Sequence, residues 1–231
     1  MDFERFIEKT LKDFGLSVVV QSAPVSTYDG KIFTLKNIIA SYKPDFQKRV
    51  LLLAHWDSRP IADNDTKDEN KPIDGADDGA SGVAVLLEIA RQLSKADLKI
   101  GVDLFFSDLE DYGQPEDSDK PKMQDSWCLG TQYWAKNPHV LGYTANYGIL
   151  LDMVGAKGAV FPREGTGTHF APDVVNKVWS IAQSIGNSSY FTDDITGNTT
   201  DDHLYVNTIA KIPCIDIVHM SPVSGTYGEH H

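Results

Sequence analysis

The sequence is 231 residues long, enough for one α/β domain with a sizeable core, and its hydrophobic fraction of 41% is ordinary for a folded chain. A formal charge of −12 excludes nucleic acid or an anionic membrane surface as the principal partner, because both need clustered Lys and Arg. No run approaches the length of a membrane span, and the start Met1-Asp2-Phe3 does not read as a signal peptide, which implies a cytosolic protein or one whose leader is removed or left out.

Residues 2–14 carry Phe3, Phe6, Ile7, Leu11 and Phe14 at helical spacing and close on Gly15, so an amphipathic helix is predicted. Ser17–Ala23 and Lys31–Tyr42 read as strands around the turn Tyr28-Asp29-Gly30, giving an antiparallel hairpin at a sheet edge. Arg49–Ala54 is a continuous apolar strand, and it stops at His55-Trp56-Asp57. A long acidic loop over 56–78 leads into Gly75-Ala76-Asp77-Asp78-Gly79 and a buried helix over Ala80–Leu93. Ile100–Phe106 is a second buried strand and ends in Ser107-Asp108-Leu109-Glu110-Asp111. After a polar loop come a helix over Trp127–Lys136, a strand Tyr147–Leu151 ending at Asp152, a short strand at Ala159–Phe161 and a helix over Pro172–Ile185. A polar loop then reaches Asp201-Asp202-His203, and Ile212–Val218 is the last buried strand. This order predicts a single three-layer α/β/α domain over 1–231, with a mixed sheet that has a parallel centre and an antiparallel edge hairpin.

In open α/β sheets the ligand crevice lies at the carboxyl ends of the strands. His55 and Asp57, Glu110 and Asp111, Asp152 and the 216–219 region all fall there. Each acid alone reads as a solvated loop residue; their joint placement points to a metal site. Imidazole and carboxylate suit zinc, and an acid left unligated beside a ligand can serve as a general base. Asp57, two residues past His55, is expected to hold the second imidazole nitrogen. The 63–78 loop lacks the spacing of a helix-loop-helix calcium site, and His219 reads as a core histidine. Cys128 and Cys214 form no metal pattern and read as buried free thiols. Neither a nucleophile elbow nor a phosphate-binding glycine loop is present.

His55-Trp56-Asp57, the run 75–82 opening a helix, Glu110-Asp111 after one strand and Asp152 after another together resemble the zinc-dependent M28 exopeptidases. Within that clan the segments His55–Pro60, Asp125–Gly130, Leu150–Ala156 and Asp201-Asp202-His203 are most similar to the glutaminyl cyclases of the animal type and their bacterial relatives. The resemblance implies conversion of an N-terminal glutaminyl residue of peptides or proteins to pyroglutamyl with release of ammonia, using one zinc ion. It implies Asp78, Asp111 and His231 as zinc ligands, Glu110 as the proton shuttle, and Asp152 and Asp201 as acids around the reacting amide. Trp56 and Arg59 are implied as substrate-binding walls. Family members often carry Glu where this chain has Asp111. The resemblance further implies a secreted or periplasmic protein, and a chain shortened at both ends. The alternatives are a two-zinc aminopeptidase, in which His55, Asp78 and Asp152 hold a second ion, and a metal- or peptide-binding relative without activity.

Overall fold

The computed structural model describes residues 3–62 and 70–221. Among them, six strands form one sheet in the order β1-β2-β4-β3-β5-β8, where β1 is Ser17–Ser26, β2 Ile32–Tyr42, β3 Arg49–His55, β4 Gly101–Ser107, β5 Tyr147–Asp152 and β8 Cys214–Val218. The pairs β1/β2 and β2/β4 are antiparallel, while β4/β3, β3/β5 and β5/β8 are parallel. The predicted hairpin and parallel centre are therefore both present.

The two faces of the sheet are covered by helices because the central strands are apolar on both sides. Leu51, Leu53 and Phe105 point to one face and pack with Trp134 of α3 (Leu129–Lys136). Ala54, Leu104 and Phe106 point to the other and pack with Ile7 of α1 (Phe3–Asp13), Leu86 of α2 (Ala80–Leu93) and Trp179 of α5 (Pro172–Ser184). This two-residue alternation in strands buried on both faces is what fixes three layers. Helix α2 lies close on the sheet: a Cβ on Gly82 would sit 2.3 Å from the Leu151 carbonyl oxygen.

A small parallel pair, β6 (Phe161–Arg163) and β7 (Phe191–Ile195), a short helix α4 (Gly165–Phe170) and a short helix α6 (Asp202–Tyr205) that runs into a π-helical turn over Val206–Ala210 complete the described chain. The strand expected at Ala159–Phe161 starts at its last residue, and α4, α6 and β7 were not foreseen, since each is too short to show a period. Both cysteines are buried and free, as expected. His219 makes backbone contacts to Val160 through Nδ1, a satisfied structural histidine. Among the described residues no helix is long and apolar enough to cross a membrane.

Register places the site. His55 pairs with Ser107 and Asp152 with Val218, so β3, β4, β5 and β8 deliver their carboxyl ends to one rim. At the opposite end of β4, Asp103 is neutralised by a two-pronged contact from Arg49 (2.5 and 2.8 Å). The acid-rich rim is built differently.

Candidate metal centre and acidic pocket

Glu110 and Asp111 follow β4 on a tight turn in which Leu109 takes a left-handed φ of 53°. Such a backbone costs energy for a branched aliphatic side chain and persists only where the surroundings enforce it. Two clamps do so. On one side the Asp57 carboxylate accepts the amides of Glu110 and Asp111, each at 3.1 Å. On the other, the first amides of α3 donate to the turn: Cys128 to the Glu110 carbonyl (3.0 Å), Leu129 to Leu109 (2.9 Å) and Gly130 to Asp108 (3.0 Å).

Asp57 therefore holds the acid turn rather than His55. Its Oδ1 lies 3.6 Å from His55 Nδ1, within ion-pair range but too far for a hydrogen bond, and that nitrogen has no hydrogen-bond partner. The strand ends at His55, so the two-residue rule no longer aligns the side chains. His55 instead directs Nε2 to Asp78 Oδ1 (2.9 Å) and Asp152 Oδ1 (3.2 Å). Burial favours a neutral ring, but Asp152, Asp57 and Asp78 hold its pKa well above the usual histidine value.

Asp78 precedes Gly79, whose φ of 87° lets the chain turn into α2. Asp152 ends β5, and Asp201 caps α6 by accepting the Asp202 amide. These three acids, with Glu110 and Asp111, line a cavity of about 380 Å³, and Trp127 forms part of its wall. The fold thus brings together all five acids singled out in the sequence. Burial first, then Asp111 and Asp201, raise the Glu110 carboxyl well above the usual range; burial, then Asp78, does the same for Asp111. Asp152 contacts His55, and the chief charges acting on Glu110 are Asp111 and Asp201.

Trp56 and Arg59 are not among the cavity walls. The Trp56 indole donates to the Lys36 carbonyl (3.1 Å), and its ring lies near Phe3 of α1. Arg59 is 4% exposed; it donates to the Asp111 carbonyl (2.8 Å) and stacks on Trp127 at 4.5 Å. It holds the wall from behind. Trp127 also lies against Gly113, where a Cβ would fall 1.9 Å from the ring. His231 lies outside the described residues.

The 216–219 region contributes Asp216 to the surroundings of the site, and one neighbour, Cys128, was missed in the sequence. Asp216 sits inside the fully buried β8, its carboxyl pushed well up by burial and by Asp201 and Asp152. An acid in the middle of an apolar strand was the available signal. Cys128 places its Sγ 3.2 Å from Glu110 Oε1, which no spacing rule announces.

The residues fit a divalent cation. Asp78 and Asp111 are 4% and 2% exposed, the Asp78 charge raises the cost of ionising Asp111, and Asp111 Oδ2 is buried without a hydrogen-bond partner. Two buried carboxylates lining one cavity are relieved by a positive charge between them. Oxygen donors with an imidazole close by suit zinc. His55, Asp78 and Asp152 form a second donor set, with ligand-type atoms within 4.8 Å of one another.

The chain is 48% identical to a Zn-dependent exopeptidase from Parabacteroides distasonis, over 98% of this chain and 78% of that one, with a TM-score of 0.94. It is 46% identical to a Bacteroides thetaiotaomicron glutaminyl cyclase solved with N-acetylhistamine, over 97% and 77% of the two chains, also with a TM-score of 0.94. A glutaminyl-peptide cyclotransferase of Gloydius blomhoffii is 30% identical over 149 residues, which are 56% of this chain and 39% of that protein, so the match spans well under half of this curated relative. Residues 37–231 match peptidase family M28, and the chain belongs to that family.

Proposed function

We propose that the protein is a zinc-dependent glutaminyl-peptide cyclotransferase acting on peptide or protein N-termini. The observation that carries this reading is Glu110, a buried carboxyl of raised proton affinity facing a cavity of about 380 Å³ that suits a single terminal residue. Similarity to glutaminyl cyclases at 46% identity supports it.

Asp78 and Asp111 would hold the ion, with His231 as the third ligand in this reading. Bound zinc supplies Lewis acidity toward the side-chain amide of the substrate. The protein's own residues do the rest. The cavity folds the Gln side chain back toward its α-amine, so that attack is intramolecular and needs no water nucleophile. Glu110 takes a proton from the α-ammonium, and the freed amine attacks the amide carbon. Ring closure releases a second proton from that nitrogen. Glu110 returns one proton to the departing NH2 group, and the other leaves with it as ammonium. Asp201 accepts a hydrogen bond from the leaving nitrogen. Asp152 and His55 hold each other beside Asp78 and so keep that ligand in place. A single catalytic domain and a secretory or periplasmic setting belong to the same proposal; cell fractionation tests the latter.

A two-zinc aminopeptidase is the second reading, favoured by the donor set of His55, Asp78 and Asp152. Mass spectrometry of a Gln-initiated peptide incubated with the zinc-loaded protein separates the readings. Loss of ammonia from the intact peptide supports the cyclotransferase. Release of the first amino acid with two zinc ions per chain supports the aminopeptidase, and neither product supports an inactive relative.

A further inference from the structure

Glu110 needs more than raised proton affinity: a carboxyl that carries a proton between two nitrogens must present one oxygen to both. Among the described residues, the hydrogen bond to its carboxyl comes from one side chain, Cys128, whose Sγ lies 3.2 Å from Oε1. Cys128 is fully buried and takes a left-handed φ of 56° at the start of α3. That uncommon backbone puts its amide on the Glu110 carbonyl and its thiol on the Glu110 side chain at once. Burial, then the charges of Glu110, Asp202 and Asp201, hold the thiol protonated, so it is a donor and not a thiolate.

We propose that Cys128 is a positioning residue for Glu110: its S–H fixes Oε1 against the pocket floor and leaves Oε2 to receive and return the substrate proton. This inference rests on the proton-shuttle reading of Glu110. The task needs only a donor held at Oε1, and a thiol is one that reaches the carboxyl over a long distance. The thiol gathers with Glu110 and Asp201, and its contact is to the Glu110 carboxyl.

The chain has only two cysteines, so the infrared S–H stretching region contains two bands. Cys214 is the internal control, since its nearest acceptor is the Ile215 carbonyl at 3.7 Å. In the full-length protein the Cys128 band, identified by its loss in Cys128→Ser, is expected at lower frequency than the Cys214 band. Glu110→Gln, a weaker neutral acceptor, moves it upward and leaves Cys214 in place. Kinetically, Cys128→Ala lowers kcat about five- to tenfold, the equivalent of one hydrogen bond, with KM unchanged. Cys128→Ser, which keeps a donor, restores most of it. Valine is avoided because a β-branched side chain is strained at this φ. Full turnover in Glu110→Gln removes the shuttle reading and the inference with it. With Glu110→Gln inactive, the inference alone is overturned by an unshifted Cys128 band, a fully active Ala variant or a Ser variant as slow as Ala. A sulfur-to-metal charge-transfer band in the cobalt-loaded protein also overturns it, because the thiol would then be a ligand.

Discussion

Asp57→Ala tests how the acid turn is held. Asp57 accepts the amides of both Glu110 and Asp111 at 3.1 Å, beside a Leu109 kept at a φ of 53°. A hydrogen bond to a charged group contributes about 1.5–3 kcal/mol, so the pair contributes about 3 kcal/mol at the low end. Part of this is offset, because the Asp57 charge also raises the pKa values of Asp108 and Asp111, and its removal relieves them. A net loss of about 2 kcal/mol corresponds to a fall in Tm of about 4–8 °C for a chain of this size. Displacement of Glu110 by an ångström would lower kcat about 100-fold. Asp57→Asn, which keeps one acceptor oxygen, falls between the two. Calorimetry and ammonia release measure these effects, and a double-mutant cycle with His55→Gln identifies the route. If Asp57 acts on the turn, its effect persists in the His55→Gln background. If Asp57→Ala is silent there, Asp57 works through the imidazole and the clamp argument fails.

Glu164 accepts the amides of Thr166, Gly167 and Thr199 and contacts His203. Burial raises its carboxyl, but His203 and these amides lower it further, from 4.5 to about 2. Because the folded value is depressed, its stabilisation is present above pH ~4.5 and is lost as pH falls toward 2; Glu164→Gln should cost about 3 kcal/mol at pH 7 and flatten the acid limb of a Tm-against-pH profile. An unchanged acid limb contradicts this. Gly113→Ala drives a Cβ into Trp127 and should raise KM through the displaced wall, and an unchanged KM means that Trp127 does not touch substrate. Asp111→Asn should lower zinc affinity yet raise the Tm of the metal-free protein at neutral pH, because it removes the repulsion with Asp78. A less stable metal-free variant refutes that repulsion.

The sheet was legible because its central strands announce themselves. Val50–Ala54 is an unbroken apolar run and Ile100–Phe106 is interrupted only by Asp103, which pairs with Arg49, and each of these two strands lies within one residue of the expected one at either end. Helix α2 has the bounds expected of it, Ala80–Leu93, since its apolar residues begin after a glycine turn and stop at a polar step. Glu110, Asp111 and Asp152 were legible for the same reason, since each follows an apolar strand whose end could be seen, and Asp78 because it opens the turn into α2; Asp201 came only through the family resemblance, since the helix it caps is too short to show a period. What lay beyond the strand ends was not legible. Once the chain leaves β3 the alternation rule lapses, so Asp57 turns to Glu110 and Asp111, Trp56 packs toward α1, and Arg59 tucks behind Trp127. The left-handed backbones at Leu109 and Cys128 occur at residues that rarely adopt them, and sequence pattern carries no trace of them.

The central claim is that Glu110 moves the proton while other residues hold the metal. Turnover of a Gln-initiated peptide by zinc-loaded Glu110→Gln, with zinc content measured on the same sample, tests it most directly. The account predicts loss of cyclisation with zinc content equal to that of the unmodified protein. Undiminished ammonia release from that variant, or loss of zinc along with activity, would contradict it.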